Sequence, residues 1–138
     1  MSLDDSPWKD RMLSVLRIVA GLMFMTAGTM KLFGFPGSPE GPMPPVPLMS
    51  QMGIGGIIET FGGLLIALGL FTRPVAFILS GEMAVAYFQF HFPQSIYPTE
   101  NNGVGAALYC FLFLYLVFAG AGSWSIDSAI RRRRAAAV

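Results

Sequence analysis

The stretch Gly53–Phe71, GIGGIIETFGGLLIALGLF, holds one carboxylate, Glu59, among glycines and aliphatic side chains. At about 1.5 Å of rise per residue, a helix of this length crosses a hydrocarbon core of about 30 Å. Gly55, Glu59, Gly62, Ile66 and Gly69 recur at steps of three and four and share one helical stripe, with Gly56 and Gly63 flanking it. A stripe with so little bulk lets a neighbouring helix come close and cover the acid. A carboxylate facing lipid is too costly to keep charged, so Glu59 is expected to point into a bundle and meet a cation or share a proton.

Composition agrees with a bilayer. Of the 138 residues, 54% are hydrophobic and 12% charged, where a soluble domain carries about a quarter charged residues. The length suits a single domain over 1–138. The formal net charge of +1 says little about partners because the charges gather near the chain ends. The lone cysteine, Cys110, sits in an apolar run and reads as a small buried hydrophobe.

Working outward, Met1–Arg11 is a polar leader with Asp4, Asp5, Lys9, Asp10 and Arg11 beside Trp8, a side chain suited to the membrane interface. The apolar segment 12–33 outruns the core of a secretory signal and reads as an uncleaved span. Residues 34–50, GFPGSPEGPMPPVPLMS, form a stiff proline-rich loop. The second span covers 52–71, and Thr72-Arg73-Pro74 makes a tight connection whose proline suits the first turn of a helix. The third span runs over 75–92 and the fourth, apolar throughout, over 103–121, before GSWSID (122–127) and a basic tail, Arg131–Arg134. The expected fold is all-α, a membrane-embedded up-down four-helix bundle. Lys9, Arg11, Arg73 and the arginine block fall on one side and Glu40 and Glu100 on the other, which places both termini in the cytoplasm of a bacterial-type cell with an inner membrane crossed several times.

Within the spans, Arg17 and Lys31 lie on one face of the first helix together with Gly21, Phe24 and Gly28. In the third span Glu82, Ala86 and Gln89 share a stripe, whereas His91 points elsewhere near the outer end. By depth, one arrangement pairs Lys31 with Glu59 and lets Arg17 reach Glu82; in the alternative both acids surround Arg17, whose planar fork suits two acceptors, and the sequence leaves the choice open. Set against this, Lys31 and Arg17 can snorkel to the two interfaces while the acids only hold helices together. Gly55, Gly62 and Gly69 read as packing residues, and the arginine block as a topology determinant touching anionic lipid.

One histidine cannot supply both axial ligands of a haem, and no cysteine pair or carboxylate–histidine helix pair marks a metal centre, so no metal is expected. There is no glycine-rich nucleotide loop after a strand. His91 reads as a hydrogen-bonding residue at the mouth of the bundle, open to proton transfer or polar-headgroup recognition.

The pattern resembles the DoxX family of small four-span membrane proteins over nearly the whole chain. The matching pieces are Arg17–Gly21 with Gly28 and Lys31–Gly37; Glu59–Gly63 and Leu68–Pro74; Gly81–Tyr87 with His91; Asn101–Gly103; and Gly120–Asp127. Relatives resembling this chain commonly carry a glutamate where Val104 stands, so a polar site using that acid is altered here or completed by Glu100. The resemblance implies a tie to membrane redox chemistry, through quinone-coupled sulfur oxidation, terminal oxidases or oxidative-stress complexes, with no settled activity.

Two functions are therefore expected to compete. In the first, the bundle is a redox-associated subunit, an oxidoreductase component if catalytic at all, that takes a quinone or similar flat molecule. Arg17, Lys31, Glu59, Glu82, Gln89 and His91 would bind it or move protons, and Phe24, Phe61, Tyr87 and Phe88 would line the slot. In the second it is a non-enzymatic scaffold or small-solute carrier. The expected partners are the lipid bilayer and a redox-enzyme complex, with a homo-oligomer left open and nucleic acid not expected.

Overall fold

The computed structural model describes residues 6–138, so Asp4 and Asp5 of the leader lie outside the described residues. Among the described residues the regular structure is helical: α1 (Pro7–Phe33), α2 (Gln51–Leu68), α3 (Thr72–Ala86) continuing into a π turn (Tyr87–His91), α4 (Val104–Ala119) and α5 (Ile126–Ala136). The all-α expectation holds, with boundaries moved by local caps.

α1 starts five residues earlier than expected because Ser6 caps it, its Oγ accepting from the Trp8 N–H at 3.3 Å, and Pro7 occupies the first turn where no N–H is needed. The last part of the leader is thus helical, and the Arg11 guanidinium lies 5.0 Å over the Trp8 ring. Ser50 caps α2 through the Gly53 N–H at 3.0 Å. α2 stops at Leu68 because Gly69 turns left-handed, φ 67°, a conformation glycine adopts without a Cβ penalty. α3 begins at Thr72 rather than Val75 because the Asp127 carboxylate accepts from the N–H groups of Phe71 and Thr72, both at 2.9 Å. The arginine block is helical: Ser125 caps α5 through the Ser128 N–H at 3.1 Å, with Asp127 in the first turn and Arg133 and Arg134 in the last, the favourable sense for the helix dipole.

The chain forms two compact units, one running to Thr72 and resuming at Ala121–Val138, the other Arg73–Gly120. In the first, α1 and α2 pack antiparallel through glycine. A Cβ on Gly21 would stand 2.7 Å from the Gly63 carbonyl oxygen, and one on Gly63 would stand 2.6 Å from the Met25 nitrogen. Further along, a Cβ on Gly28 would meet Thr60 and the Gly56 carbonyl. The backbones therefore touch, as small-residue faces allow. The buried face of α2 includes Gly56, Glu59, Gly62, Gly63 and Ile66. The stripe expected through Gly55 is rotated slightly, so that Gly56 and Gly63, placed at its flank from sequence, make the close approach.

In the second unit α3 and α4 are also antiparallel. Arg73 donates to the Val117 carbonyl at 3.1 Å and, two turns on, Ser80 Oγ donates to the Cys110 carbonyl at 2.8 Å. Ala76, Leu79 and Met83 of α3 and Phe113 and Leu116 of α4 are buried. α1 and α2 are long and apolar enough to cross a membrane, whereas α4 is equally apolar but shorter, at 16 residues. Polar Ser14, Arg17, Glu59 and Asn101 are buried while Phe77, Phe111 and Phe118 are exposed, an arrangement suited to a lipid surround.

Candidate functional site

Periodicity puts Lys31 three residues beyond Gly28, on the edge of α1 that meets α2. Its Nζ donates to Glu59 Oε1 at 2.6 Å, an ion pair in which the lysine side chain is 22% exposed and the glutamate 4%. Of the two arrangements left open by the sequence, the Lys31–Glu59 pair is the one found. Lys31 is held from behind as well: its carbonyl accepts from the Val46 N–H at 3.0 Å, tying the proline-rich loop to the end of α1. Glu59 Oε2 is buried and has no hydrogen-bond partner. An ionised carboxylate has capacity for several donors, and a buried oxygen without one is costly. Chemically the pair offers one strong cationic donor and one unused anionic acceptor side by side. Phe24, one heptad before Lys31 on the same face of α1, is buried.

Arg17 is fully buried and its acceptors are main-chain carbonyls, not the carboxylates expected. Nε donates to Ala121 at 2.7 Å, Nη1 to Ile66 and Ala67 at 2.6 Å each, and Nη2 to Trp124 at 2.5 Å. Two of these lie in the last turn of α2: the Ile66 carbonyl also accepts from the Gly69 N–H at 3.0 Å, and Ala67 is next to the end of the helix, where no further turn supplies a donor. A cation at a helix C-terminus also meets the negative end of the dipole. The planar fork serves as a cap that joins α1, α2 and the segment 121–124. Gly69 leaves room for it, since a Cβ there would lie 2.9 Å from the guanidinium carbon. Beside it, Ser14 Oγ accepts from the Trp124 N–H at 3.0 Å and donates to the Asp10 carbonyl at 3.0 Å. Arg17, Ser14 and Asp127 together pin the chain after α4 to the ends of α1 and α2.

The remaining candidates lie in the second unit. Tyr87, Phe88, Gln89 and His91 all belong to the π turn, which closes with the Phe92 N–H on the Tyr87 carbonyl at 2.9 Å. Such turns occur often at functional sites. His91 is half-buried and its Nδ1–H donates to the Asn101 carbonyl at 2.9 Å, since a carbonyl can only accept. In the neutral ring this leaves Nε2 as an acceptor. Asn101, fully buried, organises the loop: Nδ2 donates to the Ser95 carbonyl at 2.7 Å and Oδ1 accepts from the Gly103 N–H at 2.8 Å. Glu82 is half-buried on α3 and Gln89 exposed. Tyr87 is half-buried, whereas Phe88 and Phe61 are 63% and 61% exposed and turn their rings outward. Among the described residues no three His, Cys, Asp or Glu side chains gather to hold a metal.

Sequence reasoning assigned no role to Asn101, Ser14 or Asp127. Asn101 and Asp127 stand inside stretches that carried the family resemblance, but their short hydrogen bonds go to backbone, which leaves no partner residue type to search for; the Tyr87 hydroxyl, a side-chain partner of Asn101 Nδ2, is further off at 3.4 Å.

An all-helical chain with an apolar exterior, glycine-thinned helix contacts and a buried ion pair is a membrane protein. It belongs to the DoxX family, whose model matches residues 12–92. Two relatives place it further. An uncharacterized protein of Haemophilus influenzae is 46% identical over 121 residues, covering 84% of this chain and 88% of that one. The inner membrane protein YqjF of Escherichia coli is 28% identical over 134 residues, covering 86% of this chain and 92% of its own. No solved structure matches.

Proposed function

We propose that this DoxX-family chain is a redox-associated subunit of a bacterial-type inner membrane, folded as a four-span up-down bundle with both termini cytoplasmic, that binds a quinone or similar flat apolar molecule. The observation that carries the reading is the second oxygen of Glu59, buried without a donor next to the Lys31 ammonium. A quinone presents carbonyl acceptors and its quinol presents hydroxyl donors. Lys31 can donate to the first, and Glu59 Oε2 can accept from the second. A bound quinol oxidised by a partner redox enzyme would lose two electrons and two protons, its oxygens staying as the quinone carbonyls; Glu59 would take the proton of the hydroxyl it accepts from, and the other hydroxyl's proton would pass to solvent. Phe24, buried on the same face of α1 as Lys31, is the lining candidate in the same unit; in the other unit His91, with Nε2 able to accept, is a separate proton-transfer candidate. The inner-membrane name of the Escherichia coli relative and the charge asymmetry of the loops support the location.

The scaffold or carrier reading is favoured by a different observation: the charge of Arg17 is wholly engaged in holding segments together. Lipid extraction separates the two. Protein purified in detergent from quinone-replete membranes is expected to release close to one quinone per chain, identified by mass. Preparations repeatedly free of quinone, with thermal unfolding indifferent to added quinone, would remove the ligand reading and leave the scaffold.

A further inference from the structure

Away from the ion pair, the ends of α3 and α4 form an open groove of about 590 Å³ lined by Arg73, Pro74, Phe77, Ile78, Val117 and Phe118. Its walls are hydrocarbon and aromatic, and Phe77, Ile78 and Phe118 are 66%, 56% and 74% exposed. Pro74 contributes no N–H to its surface. One charge stands at the rim. Arg73 is exposed, and its Nη1 is held on the Val117 carbonyl at the C-terminal end of α4. The other edge of the fork, Nε and Nη2, has no protein acceptor among the described residues and lies beside Gly120, where a Cβ would stand 3.4 Å from Nη2. A guanidinium edge of this kind binds phosphate through two parallel hydrogen bonds. The groove begins at the first turn of α3 and the last turn of α4 and runs along their apolar residues.

We propose that this groove is a binding site for one anionic phospholipid of the surrounding bilayer. Nε and Nη2 of Arg73 take the phosphate, and an acyl chain lies between Phe77 and Ile78 on one wall and Val117 and Phe118 on the other. The site stands independently of the Lys31–Glu59 reading. Arg73 then does two things: it caps α4 and selects the charge of the lipid against it.

Native mass spectrometry of the detergent-purified full chain, titrated with phosphatidylglycerol or zwitterionic phosphatidylcholine, tests the assignment. One phosphatidylglycerol is expected to be retained in preference to phosphatidylcholine by about fivefold, the weight of a single cation at a membrane surface. Arg73→Gln should abolish the preference and Arg73→Lys restore part of it. Phe118→Ala, a change at an exposed ring that leaves the cap intact, should weaken retention of both lipids. Replacing Arg131–Arg134 by Gln should leave the bound lipid in place. Equal retention of the two lipids by the native chain, an unaltered preference in Arg73→Gln, or loss of the lipid with the arginine block would each overturn the proposal. So would binding of sn-glycerol 3-phosphate as tight as that of the whole lipid, since the groove would then contribute nothing.

Discussion

Lys31 and Glu59 meet at 2.6 Å across the α1–α2 contact, yet their exposures differ more than fivefold, 22% against 4%. The lysine has a way out to the interface and the carboxylate does not. Removing one partner should therefore not cost the same as removing the other. Lys31→Met strands a buried charge and should destabilise by about 3–5 kcal/mol, the usual penalty for breaking a buried pair from one side. Glu59→Gln keeps an acceptor for a lysine that can turn outward, and should cost about 1–2 kcal/mol. The double change Lys31→Met with Glu59→Gln should recover most of the loss of Lys31→Met alone. Thermal unfolding in detergent of the three variants measures the asymmetry, and equal losses in the two single variants would contradict it.

Arg17 should not tolerate its conservative replacement. A lysine keeps the charge, but one ammonium cannot reach the carbonyls of Ile66, Ala67, Ala121 and Trp124 together. Arg17→Lys should lose about 2 kcal/mol or more, since at least two of the part-buried carbonyls of Ala67, Ala121 and Trp124 are left without donors at about 1–3 kcal/mol each. The yield and melting temperature of folded protein report this directly; a native-like melting temperature would show that the fork is dispensable.

Glycines in this chain should divide sharply by position. Gly63→Ala drives a methyl to 2.6 Å from the Met25 backbone and forces the helices apart, whereas a Cβ on Gly81 meets nothing within 4 Å. Gly81→Ala should be neutral or stabilise by up to about 1 kcal/mol through helix propensity. Gly63→Ala should destabilise by about 1–3 kcal/mol, as overpacking does. Comparing the two melting temperatures suffices, and parity between them would mean that α1 and α2 do not touch here.

Asp127 joins α5 to the start of α3 through two N–H groups, those of Phe71 and Thr72. Asp127→Asn retains one acceptor oxygen and should cost about 1 kcal/mol, the ordinary value of a helix cap. Asp127→Ala loses both and should make the amides of Phe71 and Thr72 exchange faster with solvent. Unchanged exchange at these amides in Asp127→Ala would dismiss the cap.

What could be read from the chain follows the physics of each interaction. The Lys31–Glu59 contact was legible as one of two arrangements, because both partners are charged side chains in apolar helices at matching depths, but nothing in the sequence ruled out both acids meeting Arg17. The glycine face of α2 was legible to within one position, because neighbouring glycines at 55–56 and 62–63 fit two overlapping stripes and only packing against α1 selects Gly56 and Gly63. Arg17 was legible as buried but not by partner, since backbone carbonyls have no signature in sequence. The π turn at Tyr87–His91 differs from an α-helix by one inserted residue and leaves hydrophobic spacing almost unchanged. α5 had a usable signal, Ser125 followed by Asp127 before a run of good helix formers, which the block of like charges obscured.

The most direct measurement of the functional claim is the affinity of the chain for a quinol in lipid nanodiscs, native against Glu59→Gln, with folding monitored in the same samples. If the spare oxygen of Glu59 receives the hydroxyl, Glu59→Gln should remain folded and weaken quinol binding by about tenfold or more, the scale of a charge-assisted hydrogen bond. Equal affinity in the two folded proteins, or no measurable affinity in the native chain, would contradict it.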